Sequence, residues 1–192
     1  MTVAVTENSK GVVLQKLLAF SRSVDWLNEK IGYICNLLVL LSCLVSAANA
    51  MVRYAFSFSS NAYLETQWYM FAVFVMFGAS YTMRRNEHVR VEIFYLFLTE
   101  RGQLWLDFIG TLVFLIPISF LMIYLSWPFF AESYLTGEWS SNAGGLLRWP
   151  IKFVIPGGFA MIALQGFSEA IKRYAALKGA VKVDTHYERP TQ

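Results

Sequence analysis

Charge is scarce in this sequence. Only 15% of its 192 residues are Asp, Glu, Lys or Arg, while 56% are hydrophobic. A soluble globular domain usually carries about 25% charged residues, and a chain this small keeps much of its length at the surface. The shortfall excludes an ordinary soluble domain and predicts an integral membrane protein. Cysteine and histidine are nearly as sparse, at two each. Cys35 and Cys43 share one apolar run, where a helix separates them by about 12 Å, too far for a mutual disulfide. They read as small packing residues. His88 and His186 both lie outside the apolar runs, so no axial pair for an intramembrane haem is present. The short motifs of zinc proteases, serine hydrolases, P-loop enzymes and CxxC redox proteins are missing. The central thirds of the apolar runs hold no acid or base, as a proton or ion pathway would require. No enzyme, no bound cofactor and no metal site is expected.

What the chain does have is long uncharged runs. They cover Ile31–Val52, Thr66–Met83, Phe108–Ala131 and Phe153–Ser168. A helix needs about 20 apolar residues to cross the hydrocarbon. The first three runs suffice directly, and the fourth does so if Lys152 snorkels. Unpaired backbone is expensive in lipid, and the runs lack the alternation of barrel strands. The fold class predicted is an all-α integral membrane protein with four transmembrane helices, at about 31–53, 62–83, 104–130 and 151–173. With four spans the termini share a side, and 13 of the 16 basic residues fall on it. The positive-inside rule then places both termini in the cytoplasm. The net charge of +3 calls for anionic lipid heads, not nucleic acid. No signal peptide is expected.

Outside the membrane domain, 31–175, the sequence predicts a flexible polar tail at 1–10 and another at 176–192. Between them and the first span, Val13, Leu17, Phe20, Val24, Leu27 and Ile31 recur at steps of four and three. That pattern predicts an amphipathic helix over 11–30, lying in the membrane plane on the cytoplasmic side. A straight extension of the first span is the alternative. After the second span, Arg84, Arg85, Glu87, His88 and Arg90 form a charged turn that pairs internally or with lipid phosphates. Val89, Ile93 and Phe97 then suggest a second interfacial helix ending near Gly102. Pro117 predicts a kink or a broken ladder in the third span.

Several polar and aromatic residues stand out against this background. Asn49 and Gln165 lie at depth and need partners on other helices. Arg53 marks the outer interface. Glu65 opens the second span, where it suits the helix dipole or faces a partner helix. Trp68 belongs to an aromatic belt. The outer loop, 132–150, carries Glu138, Trp139 and Arg148, with Lys152 just beyond it. Trp139 fits either an interfacial anchor or a contact with an extracytoplasmic partner. A chain of this kind reads as a packing or scaffold subunit rather than the part that moves a solute, and a membrane protein with no role in transport fits these residues equally well.

Four stretches carry a resemblance to a known family: Asn36–Phe56, Ser60–Phe94, Leu106–Phe130 and Gly144–Gly166. In particular, Glu65 with Trp68, then RRNEHVRVEIF, then GGLLRWPIKFVIPGGF resembles the small permease subunit (DctQ-type) of the tripartite ATP-independent periplasmic, or TRAP, transporters. The similarity covers about 28–175. It implies a four-helix subunit of the bacterial inner membrane that pairs with a large permease subunit (DctM-type) and a periplasmic substrate-binding protein. The large subunit would carry the substrate and sodium sites, and the small one would extend the fixed scaffold. The cargo implied is an organic anion such as a carboxylate. Glu65 matches the acid that starts the family's second span. Arg84, Arg85, Glu87, His88 and Arg90 match its cytoplasmic turn, and Arg148 and Lys152 its entry to span four. The roles implied are subunit contact, docking or lipid anchoring. A membrane anchor of a redox complex and a free-standing channel or carrier remain the other readings.

Overall fold

The computed structural model describes residues 3–57, 60–86 and 98–180, with side chains from Val13 onward. All named elements are helical: α1 (Val3–Phe56), α2 (Asn61–Arg85), α3 (Glu100–Gly110), α4 (Ile116–Thr136) and α5 (Trp149–Leu177). A π-helical turn, Thr111–Leu115, joins α3 to α4 into one continuous rod. Three stretches are long and apolar enough to cross a membrane: Val13–Phe56, Glu100–Thr136 and Trp149–Leu177. α2 has 25 residues, enough for about 37 Å, but its polar and aromatic content keeps it out of that set.

α5 is the hub. It packs against α1, α2, α3 and α4, whereas α2 and α4 form no extended contact among the described residues. Its buried side is rich in small residues, among them Gly158, Ala163, Gly166, Ser168, Ala170 and Ala175. Small residues let helices approach without a hydrophobic drive, which lipid does not supply. A Cβ on Gly158 would stand 2.8 Å from Met76 Cβ on α2, and one on Gly166 would stand 2.7 Å from Leu115 Cδ2. Large apolar side chains point outward instead, including Leu37, Leu40 and Leu44 on α1 and Ile118, Leu121 and Leu125 on α4. That inversion is expected of helices solvated by hydrocarbon.

Helix ends follow local chemistry. Ser60 caps α2, its hydroxyl accepting from Ala62 N at 3.3 Å. Asn86 closes α2 in the left-handed region at φ 61°, a conformation Asn tolerates. Thr99 caps α3 by accepting from Gly102 N at 3.3 Å, so Gly102 lies in a first turn and ends no helix. Pro117 lacks the N–H that a regular ladder needs. Just before it, Ile116 N reaches back five residues to Thr111 O, and the predicted break takes the form of a π turn.

One expectation is corrected. α1 is helical from Val3 to Phe56 without interruption, so neither a flexible tail over 3–10 nor a separate in-plane helix over 11–30 precedes the first span. The reason is the face the segment buries. Ser21, Val24 and Asn28 are inside, bonded or packed against α5, while Val13, Leu17, Phe20 and Leu27 are exposed. The apolar stripe is therefore split, and a polar one holds the helix to the bundle. The interfacial helix expected around 93–97 and the tail from 181 lie outside the described residues, as do Glu87, His88 and Arg90.

Candidate functional site

The bundle has two ends. The loop end carries the α1–α2 turn and the 137–148 loop; the terminal end carries the start of α1 and the end of α5. At the loop end the sequence supplies a polar loop too short for its own core. It is organised by one carboxylate from another helix. Glu65, in the second turn of α2, is only 5% exposed. Its Oε1 accepts from the Ser140 hydroxyl and from Asn142 Nδ2 at 2.9 Å, and its Oε2 accepts from Leu146 N at 2.6 Å. Gly145 sits so close that a Cβ there would meet Ser140 and Glu65. Asn61 Nδ2 donates to Ala143 O at 3.0 Å and Tyr69 Oη to Leu147 O at 3.0 Å. Three residues of α2 thus clamp the loop at five of its positions.

Beside the clamp, Lys152 and Arg148 converge on Glu138. Lys152 Nζ donates to Oε2, and Arg148 Nη1 stands 3.6 Å from Oε1. The Lys152 ammonium, with Arg148 behind it, holds the Glu138 carboxyl below the usual carboxylate range. Glu65, Trp68, Arg148 and Lys152 border a shared hollow of about 290 Å³. Trp68 and Trp139 are 64% and 66% exposed, and Trp139 bridges to Leu147 across the loop. This end therefore presents two indoles over a rigid, hydrogen-bonded base. Rigid aromatic surface of that kind is what partner proteins use as anchors.

At the terminal end a second polar assembly ties three helices together. Ser80 (α2) donates to Asn28 Oδ1 at 2.6 Å, and Asn28 Nδ2 (α1) donates to Gln165 Oε1 (α5) at 2.7 Å. Gln165 Nε2 continues to Asp25 at 3.1 Å and Glu169 at 3.0 Å. Asn28, Ser80 and Gln165 are fully buried. Further along, Ser21 and Ser168 share a hydroxyl bond of 2.7 Å. Lys172 bonds both Asp25 oxygens and lies 2.5 Å from Glu169. Arg173 bonds Asp107 at 3.1 Å and Glu169 at 2.5 Å. Glu29 pairs with Arg84 and lies 3.7 Å from Arg85, which also donates to Tyr81. Buried polar groups are retained only when satisfied, and a fully connected set also fixes register.

The residues singled out by sequence are therefore distributed unevenly. Glu65, Trp68, Trp139, Arg148 and Lys152 gather at the loop end, and Gln165, Arg84 and Arg85 at the terminal end. Arg53 is exposed at the end of α1. Asn49 is half-buried, and among the described residues its Oδ1 accepts no hydrogen bond. Sequence reasoning missed Asn28, Ser80, Ser140 and Asn142. For Asn28 a signal existed: Ser21, Asp25 and Asn28 recur at steps of four and three, a polar stripe on one face of a helix.

With this geometry in place, one comparison bears on identity. A family model described as "Tripartite ATP-independent periplasmic transporters, DctQ component" matches residues 42–176. The match takes in both polar assemblies except their α1 side chains. No curated protein and no solved structure matches the chain.

Proposed function

The chain belongs to the DctQ component family of the tripartite ATP-independent periplasmic transporters, and from that premise we propose that it is the rigid scaffold subunit beside a large permease. It is a small membrane subunit of a transporter, and the family it matches is a transporter component rather than an enzyme family. The single observation that carries the scaffold reading is the Ser80–Asn28–Gln165 bridge. At depth the polar side chains bond across three helices rather than lining a passage, which suits a fixed body against which another subunit moves.

The same geometry supports a fourth span. α2 runs beside α1 and α5, with Glu65 at the loop end and Arg84 at the terminal end. If α1 and α5 cross the bilayer, α2 crosses with them. The charge count then supports a cytoplasmic terminal end, with the Trp68–Trp139 surface facing the periplasmic binding protein. Sodium coupling would reside in the large permease, and the cargo would be an organic anion such as a carboxylate. Tagging the C-terminus and purifying from native membranes in mild detergent tests the reading. Near-equal recovery of a large multi-span permease is the expected result. Recovery with a haem- or flavin-bearing partner, or of this chain alone under several gentle conditions, overturns it.

A further inference from the structure

A cleft opens sideways between α2 and the α3–α4 rod, with α5 as its back wall. Ala79 and Met83 form one wall, Phe114 and Ile118 the other, and Ile162 closes the back. Its volume is about 760 Å³, inside the range of roughly 300–1,000 Å³ common to small-ligand sites. Local sequence creates it. Gly110 leaves open space where a Cβ would stand, and the π turn carries Leu115 onto Gly166, seating the rod on α5 while α2 stands apart.

The cleft is charged at one end only. Asp107 and Arg173 border it toward the terminal end, and Ile118, Phe159 and Ser119, whose hydroxyl donates to Leu115 O, at mid-bundle. From 107 to 118 the rod rises about 16 Å. That is close to half of a hydrocarbon core of about 30 Å, so the cleft spans one leaflet. A partner's transmembrane helix would need a groove twice as long. Water is a poor occupant because the walls offer it few hydrogen bonds. A hydrocarbon chain enters from the bilayer without a transfer penalty and restores the contacts an empty void forfeits. At the charged end Arg173 is buried and its charge is met by two carboxylates, Asp107 at 3.1 Å and Glu169 at 2.5 Å, so that end is closed by ion pairs.

We propose that this cleft binds one acyl chain of a membrane lipid from the leaflet at the terminal end. The inference rests on the bundle crossing a bilayer and is independent of the cargo. Native mass spectrometry of the full chain, released from its own membranes in mild detergent, is expected to show a lipid-mass adduct. Gly110→Phe, which fills the cleft, should lose the adduct. Val113→Phe, on the exposed side of the same rod, should keep it. Adduct retention by Gly110→Phe equal to wild type overturns the proposal, as does its equal loss from both variants. A photoreactive residue at position 83 gives a reading that does not depend on blocking the cleft. Capture of lipid supports the assignment, and capture of a polypeptide overturns it in favour of a subunit interface.

Discussion

Glu65 accepts three hydrogen bonds from one loop, and each donor comes from a residue within 140–146. Charge-assisted bonds of this kind contribute about 1.5–3 kcal/mol each, though not additively. Glu65→Gln keeps the shape but removes the charge and turns an amide donor toward donors. The expected result is an unchanged helical spectrum, a clear fall in thermal midpoint and weaker recovery of the permease partner. Unchanged midpoint and recovery together would show that the loop is not held from α2. Glu138 makes a pH prediction. Its folded carboxyl is depressed by Lys152, so its contribution is fully present above the unfolded value of about 4.3. That contribution is lost only as pH falls through the lower folded value. Trp139 emission should stay flat from neutral pH to about 5 and change only below the ordinary carboxylate range. A transition near pH 6 would contradict this assignment. The sequence marked Glu65 as an acid in the first turn of its helix, and the structure seats it in the second turn of α2. Its loop partners lie 75 to 81 positions away, and no local spacing rule reaches that far.

Among the helices, contact is set by glycine. A Cβ at Gly158 would stand 2.8 Å from Met76 Cβ and 3.2 Å from Met76 O. Neither is the end of a flexible side chain, so Gly158→Ala must push α2 from α5. Overpacking of this kind costs about 1–3 kcal/mol. Gly110→Ala meets nothing within 4 Å and is expected to be neutral in the same denaturant titration. Equal midpoints for the two variants would contradict the close α2–α5 contact. The three long apolar helices were legible because run length reports them directly. The continuity of α1 was not. An apolar stripe at 13–31 predicts a helix, but it does not say whether lipid or protein takes the opposite, polar face. Gln165 was recognised as needing a partner. Asn28 was not matched to it, because Asn28 fell in a segment assigned to the membrane surface.

For the whole molecule, the decisive question is which ends share a side. α1 at 54 residues is about 81 Å long, more than the roughly 40–45 Å of a bilayer with its head groups. The Asp25–Lys172 and Ser21–Ser168 bonds fix where the excess goes. They hold the N-terminal part of α1 at the same end as the C-terminus of α5. Glu65 and Glu29–Arg84 fix α2 between the two ends in the same way. Single cysteines in a Cys43→Ala background can read this arrangement, since Cys35 is buried and Cys43 exposed. Cysteines at Lys16 and Gly179 should label from one side of sealed membranes and a cysteine at Ser141 from the other. Labelling at Ser141 and Gly179 from one side would remove the crossing of α5. Labelling at Lys16 and Gly179 from opposite sides would break the polar contacts that join α1 to α5, and with them the rigid body on which the scaffold role depends.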